Sequence, residues 1–348
     1  MIKNKTTIVV GAGASVDVGF PVGAELKSRI ADVLGTTRRQ RGHEVTFSQK
    51  NQDIYNCLHT LSDGASSRLH SLIEKSNFVA NQMTKAASID NFLDAHQSDE
   101  DIVTIGKLAI SLVIAQCELA SILSSGRNKP RNIAKANKYF MSELMTLLVR
   151  GHEYENLEES AENLHFIIFN YDRCVEYYAF HWLNEYFGRD CTDIFNRITF
   201  QHTYGSLGNS DGNSPSFYRD REDGPFLNAH RELPRIADGI KTFTEQKDSE
   251  TLASVKSIVE KSDVLIFLGF AFEEQNMNFF PNLNSSMKHI FGTTYGFSEA
   301  DQQSILNFLR QKFAIGIKNR YQPTLAPVEC KELFSKYSWS LRHAIGSF

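Results

Sequence analysis

Apolar positions follow two patterns along the chain. One is a set of short, β-branched or aliphatic runs that stop abruptly at glycine or at polar residues: Thr6–Val10, Leu164–Phe169, Arg197–Thr203 and Asp263–Leu268, with Met287–Gly292 as a weaker fifth. Runs of this length with so little alternation predict strands buried on both faces of a parallel sheet. The other pattern repeats every three or four residues. After Pro21, the stretch to Leu34 puts Leu26, Ile30, Val33 and Leu34 on one face of a helix. Proline suits the mouth of that helix, where the first amides need no internal partner. Helices are also predicted over Asp53–Leu61, Ser66–Phe78, Asp90–His96, Asp101–Leu123, Ile133–Val149, Arg173–Tyr186, Glu250–Lys261 and Ser298–Lys312.

Strands separated by helices predict an α/β fold with a Rossmann-like parallel sheet. Residues 1–35 and 164–315 would form the sheet domain, and 36–163 a mainly helical insertion. Residues 316–348 would be a C-terminal tail for oligomer or partner contact. Within the insertion, Glu44–Ser48 is the one weak strand-like alternation, and Asn128-Lys129-Pro130 breaks two helices. Gly205–Pro234, rich in Gly, Ser, Asn, Asp and Pro, predicts a long loop, of the kind that is either functional or disordered. The apolar stretch Ile102–Leu123 is long enough to span a bilayer. It carries Lys107, Gln116 and Glu118, however, and is read as a buried helix.

Composition narrows the function only a little. The 348 residues are 41% apolar and 22% charged, enough for a real core. Lysine and arginine number 37 against 41 acidic residues, so no global field draws the chain to nucleic acid or to a membrane. Small basic clusters such as Arg38, Arg39 and Arg41 read as solvated surface. The five cysteines show no C-x-x-C pair, which argues against a zinc knuckle or a disulfide framework, and no metal site is expected. Together with a start that lacks a signal-peptide pattern, they lead to the expectation of a cytoplasmic protein.

Chemistry-bearing residues collect where the predicted strands end, which is where ligands bind in parallel sheets. Gly11-Ala12-Gly13-Ala14-Ser15 follows the first strand, and its glycines allow close backbone approach to a phosphate. It is not the dinucleotide fingerprint, since position 16 is Val, and no G-K-[ST] makes it a P-loop. Read alone, it is equally a tight turn without ligand. Asn170-Tyr171-Asp172 ends the second strand, and both polar residues suit helix capping as well as a site. His202-Thr203-Tyr204-Gly205-Ser206 ends the third, and Gly269-Phe270-Ala271-Phe272, with Asn276 beyond, ends the fourth. Asp90 reads as a helix cap, and His165 as a packed core histidine.

The string from Gly11 through Ser15 and Gly19 to Pro21 resembles the opening of the sirtuin family. Asn170-x-Asp172 resembles its Asn-x-Asp motif, the stretch from His202 to Ser206 the region of its His-Gly motif, and Gly269 to Asn276 its Gly-rich adenosine-ribose loop. The four stand in family order over residues 6–280. The form is most similar to the sirtuin-like NADases of bacterial anti-phage defence. Those resemble this chain also in the Ser88-x-Asp90-x-Phe92-Leu93 helix start. The deacylases' paired-cysteine zinc module is missing, and Pro21 is followed by Val22-Gly23 where they carry Asp-Phe-Arg. One departure stands out: Tyr204, not histidine, directly precedes Gly205. His202 lies two residues earlier, on the same face of an extended strand, and is favoured over Tyr204 as base because its pKa lies near neutrality.

The resemblance implies an NAD+ hydrolase that cuts the nicotinamide–ribose bond through an oxocarbenium-like transition state. NAD is the substrate and no metal is needed. Asn170 would hold a ribose hydroxyl or the attacking water, Asp172 would orient the nicotinamide amide or the ribose, and His202 would act as base. Gly11, Ala12, Gly13 and Ser15 would hold the pyrophosphate, with Pro21, Tyr204 and Gly205 beside them. Gly269, Phe270 and Asn276 would meet the adenosine ribose. It further implies an NAD-depleting effector of abortive infection, restrained by homo-oligomerisation or by a co-encoded regulator: a HerA-type ATPase, a short Argonaute or a nucleotide-sensing protein. A protein deacylase or ADP-ribosyltransferase, and a non-catalytic NAD or ADP-ribose sensor, are the alternatives.

Overall fold

The computed structural model describes residues 2–41, 44–125, 132–151, 153–208, 215, 217, 229–246, 250–283, 289–314 and 322–346. Strands lie at β1 Thr6–Val10, β2 Thr36–Arg41, β3 Glu44–Gln49, β4 Leu164–Ile168, β5 Thr199–His202, β6 Val264–Leu268, β7 His289–Thr293 and β8 Thr324–Ala326. Six of them form one sheet in the order β5-β4-β1-β6-β7-β8. Every pairing in it is parallel. The apolar runs explain the order. β1 and β6 are buried at every position and sit in the middle, while the partly buried β5 takes an edge.

Between β1 and β4 the chain is largely helical: α1 Gly23–Leu34, α2 Gln52–Leu61, α3 Ser66–Gln82, α4 Ile89–Ala95, α5 Glu100–Ala120, α6 Met141–Val149 and α7 Glu158–Glu162. The four residues predicted on the inner face of α1 are all buried. α5 is apolar and long enough to cross a membrane, but it lies enclosed, packed against α1, α3 and α4. Its Glu118, fully buried, meets Arg173 in a two-pronged ion pair at 2.9 and 2.7 Å. α8 Cys174–Phe187 follows β4 and packs on α6.

Four stretches depart from the pattern-based expectation. Thr36–Arg41 is polar throughout yet pairs with Glu44–Gln49 as an antiparallel ribbon apart from the main sheet. Ile133–Val149 is not one helix: a short 3-10 turn, Ile133–Ala136, precedes α6. The adjacent Tyr139 and Phe140 are both fully buried, facing Tyr178 and Phe334 respectively, which a single helical face cannot arrange. Pro234 lies inside the helix Ala229–Ala237 rather than in a loop, because Leu233, Ile236 and Ala237 are drawn into the core. The rest of the predicted loop, beyond Gly208, falls mostly outside the described residues, as does the Asn128–Pro130 break. Residues 322–346 are no loose tail. β8 extends the sheet, and the helices Cys330–Lys336 and Ser338–Ala344 follow it. The Ile345 carbonyl accepts from the amides of Lys3 and Asn4 at 2.9 and 3.2 Å.

From β1 the chain crosses to β4 and β5 on one side. It then returns past β1 to β6 and continues to β7 and β8 on the other. The carboxyl ends of β1 and β6 therefore form the topological switch point, the crevice where open α/β sheets bind ligands.

Candidate functional site

A cavity of about 1080 Å³ opens at this switch point. Its size is at the upper end of small-molecule pockets and sufficient for a dinucleotide. Its walls come from the loops after β1, β4, β5, β6, β7 and β8, together with the start of α1 and with α4.

The loop after β1 is stitched to the loop after β6. The Gly11 amide donates to the Leu268 carbonyl at 2.9 Å, and the Gly13 amide to Gly269 at 3.0 Å. A side chain on Gly11 would come within 2.4 Å of the Gly269 oxygen, and one on Gly269 within 2.1 Å of the Ala14 nitrogen. Gly269 also has φ +55°, which favours glycine. The contact between loops thus accounts for these glycines without a phosphate. With its amides of Gly11, Gly13 and Ala14 spent inside the protein, the loop is a wall of the cavity more than an anion cradle.

Ser15 is fully buried and does not line the cavity. Its hydroxyl donates to Asp172 Oδ1 and accepts from Asn170 Nδ2, both at 3.2 Å. Asn170 Nδ2 also donates to the Gly11 carbonyl at 3.2 Å. Two acceptors on Nδ2 fix which way the amide faces. Its Oδ1, equally buried, has no hydrogen-bond partner. An unpaired buried acceptor costs roughly 1–3 kcal/mol, and this one belongs to a residue of the cavity wall. Asp172 Oδ1 accepts from the Cys174 amide at 3.1 Å, so Asp172 does help to start α8, whereas Asn170 does not. Burial pushes the Asp172 carboxyl above its ordinary range, offset in part by those hydrogen bonds.

His202 and Tyr204 separate. β5 ends at His202 and the chain bends at Thr203, so the alternation expected of a continuing strand fails. Tyr204 faces the cavity and donates its hydroxyl to Asn276 Oδ1 at 2.7 Å, while His202 is absent from the described lining. His202 Nδ1 donates to the Asn170 carbonyl at 3.2 Å and Nε2 to Glu176 at 2.7 Å. Both partners are acceptors, an arrangement that favours the imidazolium. Burial alone would lower its pKa; Glu176 and the Asn170 carbonyl outweigh that and leave it raised. A histidine so placed supports the Asn170 backbone and is not a ready base.

Gly11, Ala12, Gly13, Pro21, Gly269, Phe270 and Asn276 all line the cavity, as do Asn170, Asp172 and Tyr204. Gly205 does not; its backbone bridges to Ile240 at φ +70°, where a side chain would strike the Gly239 oxygen. Sequence reasoning missed the acidity of the walls. They carry Asp17, Asp90, Asp94, Asp172, Glu273, Glu274 and Glu329, and Lys27 is the only lysine or arginine among the described lining residues. Its ammonium is engaged by the Ala86 carbonyl at 2.5 Å. No spacing in the sequence announces this, because the carboxylates come from five separated segments. No protein-family model matches the chain, and no curated protein does.

Proposed function

We propose that this chain is an NAD+ glycohydrolase. Water would replace nicotinamide at C1′ of the nicotinamide ribose, giving ADP-ribose, nicotinamide and one proton. The C1′–N bond breaks with its electron pair going to the pyridinium nitrogen, so nicotinamide leaves neutral and no general acid is needed. The developing charge is cationic, and an acidic cavity favours it.

The observation that carries this reading is the unpaired buried Oδ1 of Asn170, a residue that lines the dinucleotide-sized cavity at the switch point. It suits the hydroxyl of a ribose or the attacking water, both of which supply the missing donor. Asn170 is held by Ser15 and Gly11, and Asp172 by Ser15 and the start of α8, so the pair is positioned before substrate arrives. The resemblance of the motifs extends the proposal to an NAD-depleting defence effector restrained by an oligomer or partner protein.

Nicotinamide release from NAD+, followed with NAD+ binding in parallel, tests the reading. Asn170→Ala should lower turnover by about 10²-fold or more, as loss of one preorganised polar group in an active site does, while changing affinity far less. Turnover unaltered in Asn170→Ala would refute the role of this site. A second reading, a sensor that binds NAD+ or ADP-ribose without cutting it, is favoured by the engagement of His202 with Glu176. Binding without turnover, with and without co-expressed neighbouring proteins, would establish it instead.

A further inference from the structure

Asp90 is at the second position of α4, where an aspartate ordinarily serves the helix start. Here that task is taken: the Ser88 hydroxyl accepts from the Asn91 amide at 3.0 Å. The Asp90 carboxylate turns away to accept from the Tyr171 hydroxyl, and both residues line the cavity wall shared with Asn170 and Asp172. The side chain is half-buried, and no lysine or arginine among the described residues pairs with it. Burial pushes its carboxyl above the ordinary range, offset in part by the hydrogen bonds from the Tyr171 hydroxyl and its own amide. A carboxylate partly withdrawn from water without a cation is held at a cost. A second, fixed residue, Tyr171, nevertheless holds it on the cavity.

We propose that Asp90 is the anion that reads the positive charge of the nicotinamide ring, so that the site distinguishes NAD+ from NADH. This deepens the NAD+ reading and rests on it. NAD+ and NADH have the same phosphates, riboses and adenine. They differ in the pyridine ring, which is cationic and planar in one and neutral in the other. A carboxylate in a low-dielectric wall is the group that converts that difference into affinity. The same charge would follow the reaction, since the positive charge moves from the ring to the ribose as the bond breaks. Tyr171 would be a positioning residue, keeping the Asp90 carboxylate on the cavity.

Asp90→Asn keeps the size of the side chain and an oxygen to accept from Tyr171, and removes the charge. The experiment measures the affinities of NAD+, NADH and ADP-ribose for the full-length wild-type and Asp90→Asn proteins by calorimetry. Wild type should bind NAD+ at least 10-fold more tightly than NADH. In Asp90→Asn that ratio should fall to about 1 through weaker NAD+ binding, with ADP-ribose affinity within twofold of wild type. Asp94→Asn, which changes another carboxylate of the lining, should keep the preference. An unchanged NAD+/NADH ratio in an Asp90→Asn protein that still binds ADP-ribose would overturn the assignment and leave the NAD+ reading standing. Wild-type protein that binds none of the three nucleotides would overturn both.

Discussion

The interlocked loops at the switch point make a quantitative prediction through Gly269. An alanine there must adopt φ +55°, which costs an L-residue about 1–2 kcal/mol. Its methyl group would also lie 2.1 Å from the Ala14 nitrogen and 2.4 Å from the Gly13 carbonyl carbon. Both are backbone atoms of the partner loop and cannot swing aside, so overpacking adds about 1–3 kcal/mol. With an unfolding entropy of about 2.1 cal/mol/K per residue over 348 residues, each kcal/mol lowers Tm by roughly 1.4 °C. Gly269→Ala should therefore lose about 3–7 °C. Gly64 supplies the control: its φ is +76°, and a methyl group there meets nothing within 4 Å. Gly64→Ala should lose only the conformational part, about 1.5–3 °C. Thermal unfolding followed by circular dichroism reads both variants. Equal shifts would refute the claim that the two loops touch backbone to backbone. NAD+ affinity should fall in Gly269→Ala alone, because only that variant parts the cavity walls.

Two further outcomes follow from buried titratable groups. His202 has its pKa raised above 6.5, so its contribution to stability is complete below that pH and is lost as pH rises through the folded value. Urea midpoints should thus fall from about pH 6 to about pH 8.5 more steeply in wild type than in His202→Gln; parallel profiles would contradict the imidazolium assignment. The five cysteines form no disulfide and are buried. Burial pushes the Cys57 and Cys330 thiols up to about 12 and Cys117 up to about 11. A thiol reagent at pH 8 should leave the native protein almost unlabelled and modify all five after denaturation; rapid labelling of the native protein would show that these sites open.

The sheet was readable where burial is complete. β1, β4 and β6 are apolar runs cut short by glycine or asparagine, and their boundaries fall within one residue of the expected ones. β8 was invisible because three residues between Pro323 and Pro327 carry no period of their own; only the edge of β7 makes them a strand. Of the ribbon, Glu44–Ser48 was legible as a weak alternation, while its partner Thr36–Arg41 is polar throughout and has no apolar pattern to read. At the site, Asn170 and Asp172 could be named because strand ends are where such sheets work. The separation of His202 from Tyr204 could not, since it depends on where β5 stops. Asp90 was read as a cap because Asp and Ser are both good caps, and two lie two residues apart; only the geometry says that Ser88 takes the task.

The central strand has a consequence in time. β1 is made first, yet its partners Leu164 and Val264 lie far along the chain. At roughly 5–20 residues per second, Thr6 waits on the order of tens of seconds for its second neighbour. Through that interval a strand that ends fully buried lacks at least one of its two neighbours, and the helices that follow it must shelter it. The last wall of the cavity, Val328 to Cys330, arrives later still. An amino-terminal fragment therefore holds the motifs without the chamber, and a growing chain cannot assemble the chamber until nearly all of the described residues have been made.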